Sequence, residues 1–135
     1  MASSRYDKAR EKFGNGDIDW VNDPIHATLV DTSLYSVDLA LDEYLDDIPD
    51  DAIVSTVQLV GKSNALGVLD ADPAVFPSVE TGAVIGAIVL WKDTGYANNS
   101  PLIAYIDNAP ELPITGDGTN VTVTWDDGAD KVMQV

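Results

Sequence analysis

The sequence predicts a single-domain, all-β protein: a β-sandwich or jelly-roll-like barrel with a short N-terminal helix and one short internal helix. Three observations predict it. Acidic residues are 19 Asp against 4 Glu, and Asp favours turns and caps where Glu favours helix interiors. Residues with β-branched side chains are abundant, with 15 Val, 9 Ile and 9 Thr. Apolar runs of strand length recur between Gly, Pro, Asn and Asp clusters, giving eight or nine strands. The 135 residues hold no internal repeat and no linker. A chain of this length builds one core and needs no disulfide or metal to do so.

In chain order, Ser3 or Ser4 is placed to cap a first helix running to about Phe13, with Tyr6, Ala9 and Phe13 on one apolar face. Gly14 and Gly16 stop it. Asp17 to Val21 alternates polar and apolar, as a half-buried strand does, and Asp23-Pro24 turns the chain. Ile25 to Thr32 is a strong strand. Asp38 is placed to cap a second helix carrying Leu41, Tyr44, Leu45 and Ile48 on one face, which Pro49 ends. Ala52 to Gly61 is a strand, followed by a turn at Lys62-Ser63-Asn64. Leu66 to Leu69 and Ala74 to Val79 are short strands. Gly82 to Lys92 is apolar on both faces and therefore predicts a central strand covered on both sides. Turns at Asp93-Thr94-Gly95 and Gly116-Asp117-Gly118 flank a strand at Leu102 to Asp107. Val121, Val123 and Trp125 alternate with polar residues, Asp126-Asp127-Gly128 reads as a hairpin turn, and Lys131 to Val135 closes the fold.

The formal net charge is −16, which repels phosphate backbones and argues against a nucleic-acid partner. The charge is uneven. Arg5, Lys8, Arg10 and Lys12 face only Asp7 and Glu11 within the first 12 residues, a net of +2, so the rest of the chain carries −18. The sequence therefore divides into a basic N-terminal arm at 1–13 and a β-rich body at 14–135. Arg5, Tyr6, Lys8, Ala9, Arg10, Lys12 and Phe13 are the candidate interaction residues, either as a helix on the chain's own body or as a tether to an acidic partner, such as a second copy. No run is long and apolar enough to span a bilayer, and the N-terminus lacks the apolar core of a secretory signal. The expectation is a soluble protein made in a cytoplasm, with no membrane partner.

Catalytic chemistry has little to work with. Cysteine is absent, and His26 is the single imidazole, which excludes thiolate chemistry and sites that need two histidines. No Gly-x-Ser-x-Gly elbow, Walker loop or dinucleotide fingerprint occurs. Asp46, Asp47, Asp50 and Asp51 crowd around Pro49, and Asp70-Ala71-Asp72 forms a second cluster. Neither matches a calcium-binding loop, and aspartates in turns are the default for an Asp-rich β protein. Trp20, Trp91 and Trp125 fall in strand readings and are expected in the core rather than on a sugar-binding platform. The sequence thus predicts no catalytic residue, no metal and no cofactor.

Beginning at Phe13-Gly14-Asn15-Gly16-Asp17-Ile18-Asp19-Trp20, the chain resembles a family of small virion proteins of tailed bacteriophages. The likeness runs through Glu43-Tyr44-Leu45-Asp46-Asp47-Ile48-Pro49, Leu69-Asp70-Ala71-Asp72, Ala87 to Gly95, Leu102 to Asp107 and Val121 to Lys131. It implies a non-enzymatic structural component of the particle. The resemblance does not name the place on the particle; with an acidic body and a basic arm, the first expectation is a capsid decoration (cement) protein on the outer head surface, binding the major capsid protein and stabilising capsomer contacts. Such proteins are often homo-oligomers, with a trimer favoured by analogy. The alternatives are a neck, head-fibre or tail component and, from a different class, a soluble carbohydrate-binding module or enzyme.

Overall fold

The computed structural model of the chain describes residues 4–109, 111–125 and 131–134. Its first half contains β1 (Ser4–Arg5), α1 (Asp7–Gly14), β2 (Ile25–Val30), β3 (Ile53–Gln58), β4 (Ser63–Ala65), β5 (Val68–Asp70) and β6 (Ala74–Phe76). The second half adds β7 (Val84–Ile85), β8 (Ala87–Lys92), β9 (Leu102–Ile106), β10 (Ile114–Thr115), β11 (Val121–Val123) and β12 (Met133–Gln134). The chain is all-β in class, as its Asp and Val usage predicts. The main sheet has five antiparallel strands in the order β1-β9-β8-β2-β3. Three small antiparallel sheets accompany it: β10-β7, β11-β6 and β12-β5-β4.

The sequence explains why β8 sits in the middle. Ala87, Ile88, Val89, Leu90 and Trp91 are all buried, so both faces must be covered and both edges paired. Strand β2 pairs along one edge from Ile25↔Lys92 to Val30↔Ala87, and β9 pairs along the other from Ile88↔Ile106 to Trp91↔Leu102. One face of the sheet carries Ala27, Leu29, Ile88 and Leu90. The other carries Thr28, Val89 and Trp91, where the Trp91 indole N–H donates to the Thr28 hydroxyl at 2.8 Å. That bond satisfies two buried polar groups inside an apolar layer.

The expected strand from Gly82 to Lys92 divides at Gly86. A Cβ at that position would lie 2.2 Å from Thr32 Oγ1, and the Gly86 N–H donates to the Val30 carbonyl at 3.1 Å. The chain changes sheets there: β7 pairs with β10 and β8 stays with β2.

Several local expectations are corrected. The first helix begins at Asp7, not Ser4, because Ser4 and Arg5 pair with Tyr105 and Ala104 in the main sheet. Ser3 lies outside the described residues. No α-helix forms between Asp38 and Ile48. Asp38 Oδ1 does accept from the Ala40 and Leu41 N–H groups. Asp47 Oδ2, however, takes the Glu43 and Tyr44 N–H groups, and Tyr44 bridges to Pro101. Aspartate side chains have captured backbone donors that a helix would need, leaving two single 3₁₀ turns at Leu45–Asp47 and Asp50–Ala52.

Asp17 to Val21 keeps its alternation, with Ile18 and Trp20 buried, but pairs with no strand among the described residues. The turn expected at Lys62-Ser63-Asn64 moves to Leu66-Gly67, and Ser63 and Asn64 join β4. The Asp126-Asp127-Gly128 hairpin lies outside the described residues.

The division of the chain at residue 13 also disappears. Strand β1 is an edge of the main sheet, and Tyr6 and Ala9 belong to the common core at 0% and 1% exposure. Backbone bonds from Tyr6 N–H to Ile103 at 3.1 Å and from Asp7 N–H to Leu39 at 2.8 Å anchor the helix start.

Placing a charge in β8 tests this arrangement. Ile88→Asp is expected to cost about 4 kcal/mol or more, because an unpaired carboxylate replaces a fully buried side chain. Gln58→Asp, on the exposed face of β3, is expected to stay within about 1 kcal/mol. Urea unfolding of the two variants checks the sheet order, and equal losses would contradict it.

Candidate interaction surface

Helical spacing sorts the candidate residues of α1 onto three sides. Tyr6 and Ala9 point into the body. Tyr6 Oη meets Tyr35 Oη at 2.9 Å, and the Tyr35 hydroxyl donates to Asp42 Oδ2 at 2.6 Å. Burial, first of all, pushes both tyrosine hydroxyls well above the usual tyrosine range. This chain of hydroxyls fastens the helix start to the loop at 35–42. Neither Tyr6 nor Ala9 is available to a partner.

Lys8 and Lys12, four residues apart, share the second side. Lys12 Nζ reaches Glu43 Oε2 at 2.6 Å and lies 5.1 Å from the Tyr44 ring centroid. Burial alone would push the Lys12 pKa down. The hydrogen bond and charge of Glu43 outweigh it, and the net direction is up. The Lys12 hydrogen bond holds the Glu43 carboxyl below its usual value, and Lys8 adds a smaller charge effect in the same direction.

The third side carries Arg10 and Gly14, and Phe13, at the edge of the apolar face, is half-buried against the core. These residues, with Arg5 from β1, form one wall of an open groove of about 930 Å³. Trp20 and Leu69 contribute to its lining, and Asn64 and Gly67 of the β4–β5 hairpin also border it. The Arg10 side chain is 63% exposed, and its nearest carboxylate, Asp7, is 3.7 Å away. Asp19 also lines the groove. Its two carboxylate oxygens accept from the Asn22 backbone and side-chain N–H groups at 3.2 and 2.8 Å, and these bonds hold its pKa below the usual range.

The groove therefore gathers two arginines beside an apolar lining on a protein of net charge −16. Two other lysines serve the body's own loops. Lys92 Nζ contacts Asp23 Oδ2 at 3.1 Å and donates to the Asp17 carbonyl at 2.7 Å, while Lys62 donates to the Asp23 carbonyl.

Sequence spacing brought Arg5, Arg10 and Phe13 into the candidate set. It missed Asn64 and Leu69, which arrive through the pairing of β4 with β5 and of β5 with β12, and Trp20, whose indole donates to the Asp70 carbonyl at the end of β5. No local pattern links residues some 50 positions apart.

The remaining candidates are placed elsewhere. His26 is half-buried, edge-on to Trp91 at 4.8 Å between ring centroids, with its Nδ1 3.7 Å from Asp93 Oδ2. Trp20, Trp91 and Trp125 are buried at 2%, 7% and 4% exposure. The Trp20 and Trp125 indoles donate to the Asp70 and Asp72 carbonyls at 3.1 and 2.9 Å. Among the described residues, no three His, Asp or Glu side chains converge as metal ligands, and no helix is long and apolar enough to cross a membrane. No family model matches the chain, and no curated protein aligns with it significantly.

Two outcomes follow from this geometry. Because the folded Glu43 pKa is lowered, its contribution is present above the unfolded value of about 4.3 and lost as pH falls through the folded value. The raised Lys12 pKa makes its contribution complete below about 10.4 and lost as pH rises through the folded value. Glu43→Gln is therefore expected to lower stability by about 0.5–1 kcal/mol at pH 7, the usual worth of a partly exposed pair. The gap to wild type should close only in acid well below the usual carboxylate range, as pH falls through the lowered folded value and the wild-type carboxyl itself becomes neutral. Denaturant midpoints at pH 7 and in that acid range check this, and a gap that persists there would mean that the pair is not its source. The second outcome concerns the aspartate clusters. EDTA is expected to leave Tm within about 3 °C, and a larger fall reversed by Ca²⁺ would reveal a cation site.

Proposed function

We propose that this chain is a non-enzymatic structural protein of a tailed-phage particle, acting as a decoration (cement) protein on the outer surface of the head. The observation that carries the reading is the concentration of Arg5 and Arg10 around one partly apolar groove on an otherwise acidic body. Such a body stays soluble at high copy number and is repelled by packaged or cellular DNA. Attachment then needs a local patch of opposite sign, and the groove supplies one. The sequence resemblance to phage virion proteins points the same way. The partner is the major capsid protein, with homo-oligomers of this chain seated between capsomers.

Copy number tests the position. In purified particles, the band intensity relative to the major capsid protein should correspond to hundreds of copies. One or two dozen copies would place the chain in the neck, head fibre or tail, and absence from particles would remove the virion reading.

A further inference from the structure

Helix α1 has cations on two opposite sides. On one side, Lys12 is met by Glu43 at 2.6 Å. Glu43 begins a ridge that runs to Asp51 and exposes Asp46, Asp47, Asp50 and Asp51. On the other side, Arg10 and Phe13 line the groove. The chain's own ridge is held against the Lys12 side and cannot reach round the helix to the Arg10 side.

We propose that the groove receives the Glu43–Asp51 ridge of a second copy of this chain. The inference rests on the reading above only in expecting identical copies side by side. Charge complementarity selects the occupant: the exposed Arg10 lines the groove, and the ridge carries four aspartates within positions 46–51. Pairing an acidic ridge with an α1 cation is already realised within the chain by Glu43 and Lys12.

Each of the two surfaces has an exposed leucine beside it. Leu41, just before the ridge, is 73% exposed. Leu66, at the hairpin tip next to groove residue Gly67, is fully exposed and has a φ of 54°, a conformation that bulky residues rarely adopt. Its side chain contributes nothing to its own core, whereas a docked ridge would cover it. Because groove and ridge are different surfaces, the contact is head-to-tail. It closes into a ring when the rotation between copies divides a full turn evenly.

The test is sedimentation velocity of the full chain, with circular dichroism confirming the fold of each variant. Wild type is expected to associate at low salt and to dissociate toward monomer at 0.5 M NaCl, where screening shortens the reach of exposed charges. R10E and the pair D46K/D50K should each weaken association at least tenfold. Combining R10E with D46K/D50K in one chain should restore part of it, because the reversed side chain at position 10 then faces reversed side chains at positions 46 and 50.

D46K/D50K also separates this contact from bulk charge repulsion. It makes the protein less acidic, so repulsion alone predicts tighter association. Tighter association of D46K/D50K, a wild type that stays monomeric at low salt, or no rescue in the combined variant would each overturn the proposal. A monomer in solution that still loads particles in hundreds of copies would sink this contact and leave the decoration reading standing. Association without particle loading would do the reverse.

Discussion

Strand β8 can be buried only if both its edges and both its faces are covered, and that requirement organises the molecule. Its edges are taken by β2 and β9, whose residues are themselves almost all buried. Strand β9 then needs a partner on its far edge, and the N-terminal Ser4–Arg5 segment supplies it. Once Arg5 is in the sheet, Tyr6 falls into the core and α1 begins against the body. The basic N-terminus is thus fixed in place by the needs of a strand nearly 100 residues away. The surface that its cations present follows from that fixation.

The aspartates that make the protein acidic also shape it. Asp31 bonds the Ser33 N–H at 2.9 Å, Asp93 the Gly95 N–H at 2.8 Å and Asp117 the Thr119 N–H at 3.0 Å. A shorter side chain than Glu is the right length to reach back to a donor two or three residues on. Many short strands need many turns, and each turn adds a carboxylate to the surface. High negative charge is in this sense a by-product of the architecture, and any contact between copies has to overcome it. Lys12 and Lys92 pair with the body's own acids, and Arg10 pairs with Asp7 on its own helix.

The main sheet was legible in the sequence because its signals are local. Ala87 to Trp91 is a continuous apolar run, and Ile25 to Val30 is apolar but for His26 and Thr28, patterns that suit covered strands of that length. Other features depend on partners that local pattern does not name. Leu41, Tyr44, Leu45 and Ile48 have helical spacing, yet Asp47 withdraws two backbone donors and Pro101 draws Tyr44 into a bridge. Asp17 to Val21 alternates in burial without a strand beside it. The candidate surface was legible by half: the charge asymmetry pointed to α1, but spacing alone left open whether Tyr6 and Ala9 face a partner or the chain's own core, which claims them. The opposite wall, from Asn64 to Leu69, exists only after β4 and β5 have paired.

All of this depends on the N-terminal segment being part of the body. Native-state hydrogen exchange of the Tyr6 and Asp7 amides measures that directly, since they donate to Ile103 and Leu39. The predicted result is an opening free energy close to that of the β8 amides, as expected of groups released only in global unfolding. Exchange of Tyr6 and Asp7 at nearly unprotected rates, with β8 still protected, would describe a loose arm and contradict the account.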